Sequence, residues 1–121
     1  MNSFRTLDAY THAKTLVREV YGLLKKFPKE EQYALCDQLR RASISITSNI
    51  AEGSGRVSTK EKTHFLNIAY GSLMEVLSQM DIALDLGYIT ESEFKNIENL
   101  IDREGKLISG LKTYFEKTPN P

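Results

Sequence analysis

Apolar residues recur three or four positions apart along nearly the whole chain, the spacing that places them on one face of a helix. Leu7, Tyr10, Ala13, Val17, Val20, Leu24 and Phe27 form the first such series, and Pro28 ends it. Proline has no amide hydrogen to donate and pushes the residue before it out of the helical region. Leu35, Leu39, Ala42, Ile46, Ile50 and Gly53 continue the spacing, so a second helix is expected from Glu30 to Gly53. Gly53-Ser54-Gly55 breaks it.

Ser58 with Glu61 has the form of a capping box, in which each side chain satisfies a free amide at a helix start. The third helix then carries Phe65, Ala69, Leu73, Val76, Met80, Ala83 and Leu84 inward and closes at Gly87. Thr90 with Glu93 opens the fourth, whose stripe is Phe94, Ile97, Ile101, Ile108, Leu111 and Phe115, widened by Leu100, Leu107 and Tyr114. The expected helices span about 5–27, 30–53, 59–86 and 91–116. Long helices with short connections become antiparallel neighbours, so the pattern predicts one all-α, up-and-down four-helix bundle over residues 1–121.

Ser43-Ile44-Ser45-Ile46-Thr47 alternates like a strand, but the helical period accounts for more residues over a longer window. On that second helix Tyr33, Ile44 and Ala51 form another apolar strip, about 100° from the core face. One bundle core does not need both strips, so this one is expected to touch another subunit. On the far side Arg41, Ser45, Ser48 and Glu52, flanked by Gln38 and Asn49, form a polar seam. Arg41 and Glu52 are expected to pair there, guanidinium to carboxylate, within or between subunits.

Composition narrows the functional classes. The 121 residues, 40% hydrophobic, suffice for one core, and sixteen basic residues cancel sixteen acidic ones, so any polyanion must be met by a local patch. Residues 1–28 hold five basic side chains against two acidic. Lys14, Arg18 and Lys25 share a helix-face spacing there, and with Arg56 they are the candidate polyanion contacts. The lone Cys36 fits a reducing cytoplasm, and no apolar run is long enough to cross a membrane.

No constellation points to catalysis or a cofactor. Gly53-Ser54-Gly55-Arg56 could offer amides and a cation to a phosphate, but the Gly-Lys-Ser/Thr ending of a phosphate loop is missing. Glu61-Lys62-Thr63-His64 holds one Glu-x-x-His pair where a di-iron bundle needs two, and His12 and His64 read as partly exposed side chains. Cys36 has no His partner in the pattern and reads as a packed thiol.

Several motifs together resemble a known family. They are Gln38-Leu39-Arg40-Arg41-Ala42, Ser45-Ile46, Asn49-Ile50-Ala51-Glu52-Gly53, Phe65-Leu66 and Ile68-Ala69-x-Gly71-Ser72-Leu73-x-Glu75. Phe4-x-x-Leu7, Phe27-Pro28 and Leu86-Gly87-Tyr88-Ile89 fit as well. The chain resembles the 23S rRNA-intervening-sequence family along almost its entire length, with Thr47 a minor departure. The resemblance implies an up-and-down bundle assembling into a homopentameric ring. A similar protein, the accessory variability protein of diversity-generating retroelements, binds nucleic acid and a reverse transcriptase. A cytoplasmic, non-enzymatic scaffold or adaptor for RNA, DNA or a nucleic-acid enzyme is the function this implies. A phosphate-binding bundle or enzyme using the turn between helices 2 and 3 is the alternative.

Overall fold

A computed structural model of the chain describes residues 3–118. A short 3-10 turn, Phe4–Thr6, leads into α1 (Asp8–Leu24), and a second, Lys29–Glu31, leads toward α2 (Leu35–Ser54). Then follow α3 (Thr59–Asp85) and α4 (Glu91–Lys117). Each helix packs on two neighbours in the cyclic order α1, α2, α3, α4. Contacts between opposite ends fix the directions. Gln38, early in α2, meets Gln79, late in α3, while Lys62, early in α3, lies under the Phe115 ring late in α4. Lys26, just after α1, pairs with Glu93 at the start of α4. The four helices therefore run alternately up and down.

The caps explain where the later helices begin and end. Ser58 accepts from the Glu61 amide at 3.1 Å, and Thr90 with Glu93 forms the complete box. After α3, Gly87 takes a positive φ of 78°, so that its own amide bonds Leu84 and the Tyr88 amide reaches back to Ala83. This left-handed closure needs glycine, since a Cβ would crowd the following carbonyl.

The first two helices are shorter than the periodicity suggests. Leu7 is extended and separates α1 from the opening turn, and the helix stops at Leu24. Pro28 starts a 3-10 turn, and α2 begins only after Ala34, whose φ of −120° and ψ of −102° break the helical path. Glu31 secures that corner from outside the helix. Its Oε2 accepts from the Tyr88 hydroxyl at 2.8 Å while its Oε1 faces the Leu35 amide. Tyr33 consequently lies in the turn, not on α2.

The core follows the heptad spacing with three adjustments. Leu16 rather than Val17 is buried on α1, and Leu66 rather than Phe65 on α3, while the neighbouring core positions of both helices keep their register. Third, α4 buries Ile97, Ile101 and Ile108, with the charged-type residue Glu104 between them. Among the described residues no helix is long and apolar enough to cross a membrane.

Candidate functional site

Helices α1 and α4 border an open cleft of about 520 Å³ lined by Asp8, Thr11, His12, Lys14, Thr15, Arg18, Arg103 and Leu107. Three of these are permanent cations. Lys14 Nζ lies 5.5 Å from the centre of the Tyr10 ring, and Arg18 Nη2 donates to Thr15 Oγ1 at 3.1 Å. Among the described residues none of Lys14, Arg18 and Arg103 forms an ion pair, whereas Lys26, Arg40, Arg41, Arg56, Lys95 and Lys106 each meet a carboxylate. Against the one carboxylate of that lining, Asp8, the three cations leave the cleft with a positive balance that draws phosphate groups.

His12 forms part of the cleft wall, and behind it lies Glu104. Its carboxyl is 0% exposed and its Oε1 stands 2.9 Å from His12 Nδ1. The remaining Oε2 of Glu104 and Nε2 of His12 are buried without partners. Burial disfavours the charged form, pushing the Glu104 carboxyl up to about 8. Burial also lowers His12 from its usual value, helped by the nearby Arg103 charge. Both shifts favour the uncharged pair, in which the carboxyl donates to Nδ1 of a neutral imidazole. The pattern contained a signal for this: Glu104 sits three residues after Ile101 and four before Ile108, within the apolar stripe.

The expected polyanion contacts separate. Lys14 and Arg18 share the cleft and Arg103 joins them from α4, but Lys25 lines a different one, with Tyr21, Phe27, Lys29, Cys36 and Arg40. Arg56 is neutralised. Its Nη2 meets Glu52 Oε2 at 2.9 Å, its Nη1 lies 3.8 Å from Glu61 Oε2, and its guanidinium stacks 4.9 Å from the Phe65 ring centre.

The polar seam also divides. Ser45 Oγ stands 2.8 Å from Ser72 Oγ, and Asn49 donates both to the Ser45 carbonyl and to Ser45 Oγ, joining α2 to α3. Gln38 accepts from Gln79 across the same interface, while Ser48 is exposed. Within the subunit Arg41 and Glu52 do not pair with each other. Eleven residues of helix separate their α-carbons by about 16 Å along the axis, so each takes a partner one turn away. Arg41 Nε meets Asp37 at 3.2 Å, and Glu52 meets Arg56.

The second apolar strip is reduced to Ile44, 43% exposed, and the half-buried Ala51, because Tyr33 stands in the turn at 86% exposure. Tyr21 of α1, 40% exposed, takes its place and lines a surface cleft with Arg40, Arg41, Ile44 and Ser45. Elsewhere Cys36 is a buried thiol raised by burial, and His64 packs its exposed ring edgewise on Phe65. Among the described residues no three His, Cys, Asp or Glu stand together as a metal site.

Residues 5–110 of the chain match the model of a known family, described as 23S rRNA-intervening sequence protein. The chain belongs to that family. No curated protein matches this 23S rRNA-intervening sequence protein. A similar solved structure is that of a protein with unknown function from the S23 ribosomal protein family of Bacteroides thetaiotaomicron. It is 21% identical, the match covers 86% of this chain and 97% of that one, and the TM-score is 0.79. At that identity the likeness establishes the four-helix fold of this 23S rRNA-intervening sequence protein and leaves its site to be argued from its own residues.

Proposed function

We propose that this chain is a non-enzymatic, cytoplasmic scaffold that assembles with copies of itself and holds nucleic acid, RNA or DNA, on its α1/α4 face. One observation carries the reading: Lys14, Arg18 and Arg103 converge on one cleft against the single carboxylate of Asp8, and among the described residues none of the three is ion-paired. The family resemblance supports a ring of five copies, which would repeat the cleft five times and turn a neutral chain into a basic band. The exposed Tyr21 and Ile44 surface supports self-assembly, because a second copy could cover it. A nucleic-acid enzyme bound beside the nucleic acid is the adaptor form of the same proposal.

The rival site at the α2–α3 turn is less favoured. There Arg56 is occupied by Glu52 and Glu61, Lys62 Nζ donates to the Ser54 carbonyl at 3.2 Å, and Gly53 is pressed against the Lys62 carbonyl, so the glycine serves helix contact.

Salt titration of binding to labelled RNA and DNA tests the proposal. Each phosphate contact should contribute about 0.9 to the slope of log affinity against log salt on duplex DNA. Replacing Lys14, Arg18 and Arg103 together by Gln should flatten that slope by about 3 per engaged protomer if each meets one phosphate. Binding that ignores salt would overturn the nucleic-acid reading, and light scattering that reports a monomer would overturn the assembly.

A further inference from the structure

We infer that His12, backed by Glu104, makes nucleic-acid binding in the α1/α4 cleft proton-linked, with affinity rising as the imidazole gains a proton. The inference rests on the proposed nucleic-acid face and adds its regulation. His12 lines the same cleft as Lys14, Arg18 and Arg103, so a positive imidazole there becomes a fourth charge facing the phosphates. A buried imidazolium is costly unless its N–H finds an acceptor. Glu104 supplies one for Nδ1–H at 2.9 Å, because the hydrogen bond can reverse, while the unpartnered Nε2–H is carried by the neutral and the charged ring alike. With one proton in the pair, the carboxyl O–H donates to Nδ1. With a second, Nδ1–H donates to the carbonyl oxygen of the still protonated carboxyl.

The surroundings leave this pair as the titrating element. From α1, Asp8, Lys14 and Arg18 face the cleft, and from α4 Arg103 does. The buried positions of α3 carry no acid or base, and α2 buries only the Cys36 thiol, at the Leu24 and Phe27 end of α1. Burial, and after it the Arg103 charge, lower the proton affinity of the imidazole. A phosphate backbone laid across Lys14, Arg18 and Arg103 cancels that repulsion and draws a proton onto His12. By linkage, a ligand that raises proton affinity binds more tightly as pH falls, by at most about tenfold per pH unit for one proton.

The test is the dissociation constant of a fluorescently labelled single-stranded RNA, and of the matching DNA, at about pH 7.5 and about pH 5.5. Wild type should bind about three- to tenfold more tightly at the lower pH. His12→Asn keeps an acceptor toward Glu104 but cannot titrate, and should lose that ratio. Glu104→Gln can accept from Nδ1–H and should keep it, whereas Glu104→Leu leaves the imidazolium without an acceptor and should lose it. Circular dichroism and light scattering at both pH values confirm that each variant retains its fold and assembly. The His12 ring resonances, followed in the wild type with His64 as the exposed reference, should move to a higher titration midpoint when RNA is bound. Equal wild-type affinities at both pH values, or a ratio retained by His12→Asn or Glu104→Leu, would overturn the inference alone. Failure of the wild type to bind at either pH would overturn the nucleic-acid face and the inference with it.

Discussion

Gly53 and Lys62 bring α2 and α3 together: a Cβ at residue 53 would stand 3.0 Å from the Lys62 carbonyl oxygen and 3.2 Å from Phe65 Cβ. The nearest obstacle is backbone, which cannot swing aside as a side chain can. Gly53→Ala should therefore destabilise the bundle by about 1–3 kcal/mol in chemical denaturation. Gly71, in the same kind of helix interior on α3, meets nothing within 4 Å. There alanine only removes backbone freedom from the unfolded chain, and Gly71→Ala should stabilise by about 0.5–1 kcal/mol.

Stability should fall from about pH 6.5 upward through the Glu104 value of about 8. The folded carboxyl keeps its proton far above the ordinary glutamate range, near 4.3, so its contribution is full below that range and is lost as pH rises from there through the folded value, the part below about pH 6.5 being offset by His12. His12 acts in the opposite sense. Its lowered proton affinity costs stability only as pH falls below the ordinary histidine value near 6.5. A melting series in which Glu104→Gln is flat across the upper interval, while wild type declines, is the expected outcome. Parallel curves would show that the carboxyl does not titrate there.

Ser72→Ala should cost about 1 kcal/mol, the worth of one hydrogen bond. Ser72 is buried and its hydroxyl joins Ser45, which in turn accepts from Asn49. The change leaves the Asn49 to Ser45 bonds intact, so the melting temperature should drop without loss of helix content.

Ile44→Asp should leave the isolated bundle within about 0.5 kcal/mol of wild type, because the side chain points away from the core. In the proposed assembly it would place a charge against an apolar neighbour. Light scattering should then report smaller particles with an unchanged circular dichroism spectrum. Retention of the wild-type mass would remove the Tyr21 and Ile44 surface from the contact.

Much of the fold is written in short-range chemistry. Thr90 with Glu93, Ser58 with Glu61 and Gly87 act within a turn of where they stand, so their patterns locate helix ends directly. The start of α2 is different. It depends on Glu31 meeting Tyr88, 57 residues along the chain, and no local pattern reports that bond. The candidate site is harder still. Lys14 and Arg18 share a helix face and are legible as such, but Arg103 joins them only through the packing of α4 on α1. Glu104 occupies an apolar register position with an acidic side chain, and only its meeting with His12 makes sense of the exception.

The interface between α2 and α3 is the most extensive in the bundle, and only residues 55–58 separate the two helices. Contacts that close so short a loop form early, because little chain entropy opposes them. This hairpin is thus the natural folding nucleus, and α1 and α4 condense onto it. A defect at Gly53 would then slow folding, whereas a defect at the α1 to α4 contact of His12 and Glu104 would chiefly hasten unfolding. On that order the face assigned to nucleic acid is expected to assemble last and to open first, which hydrogen exchange of the α1 and α4 amides would check.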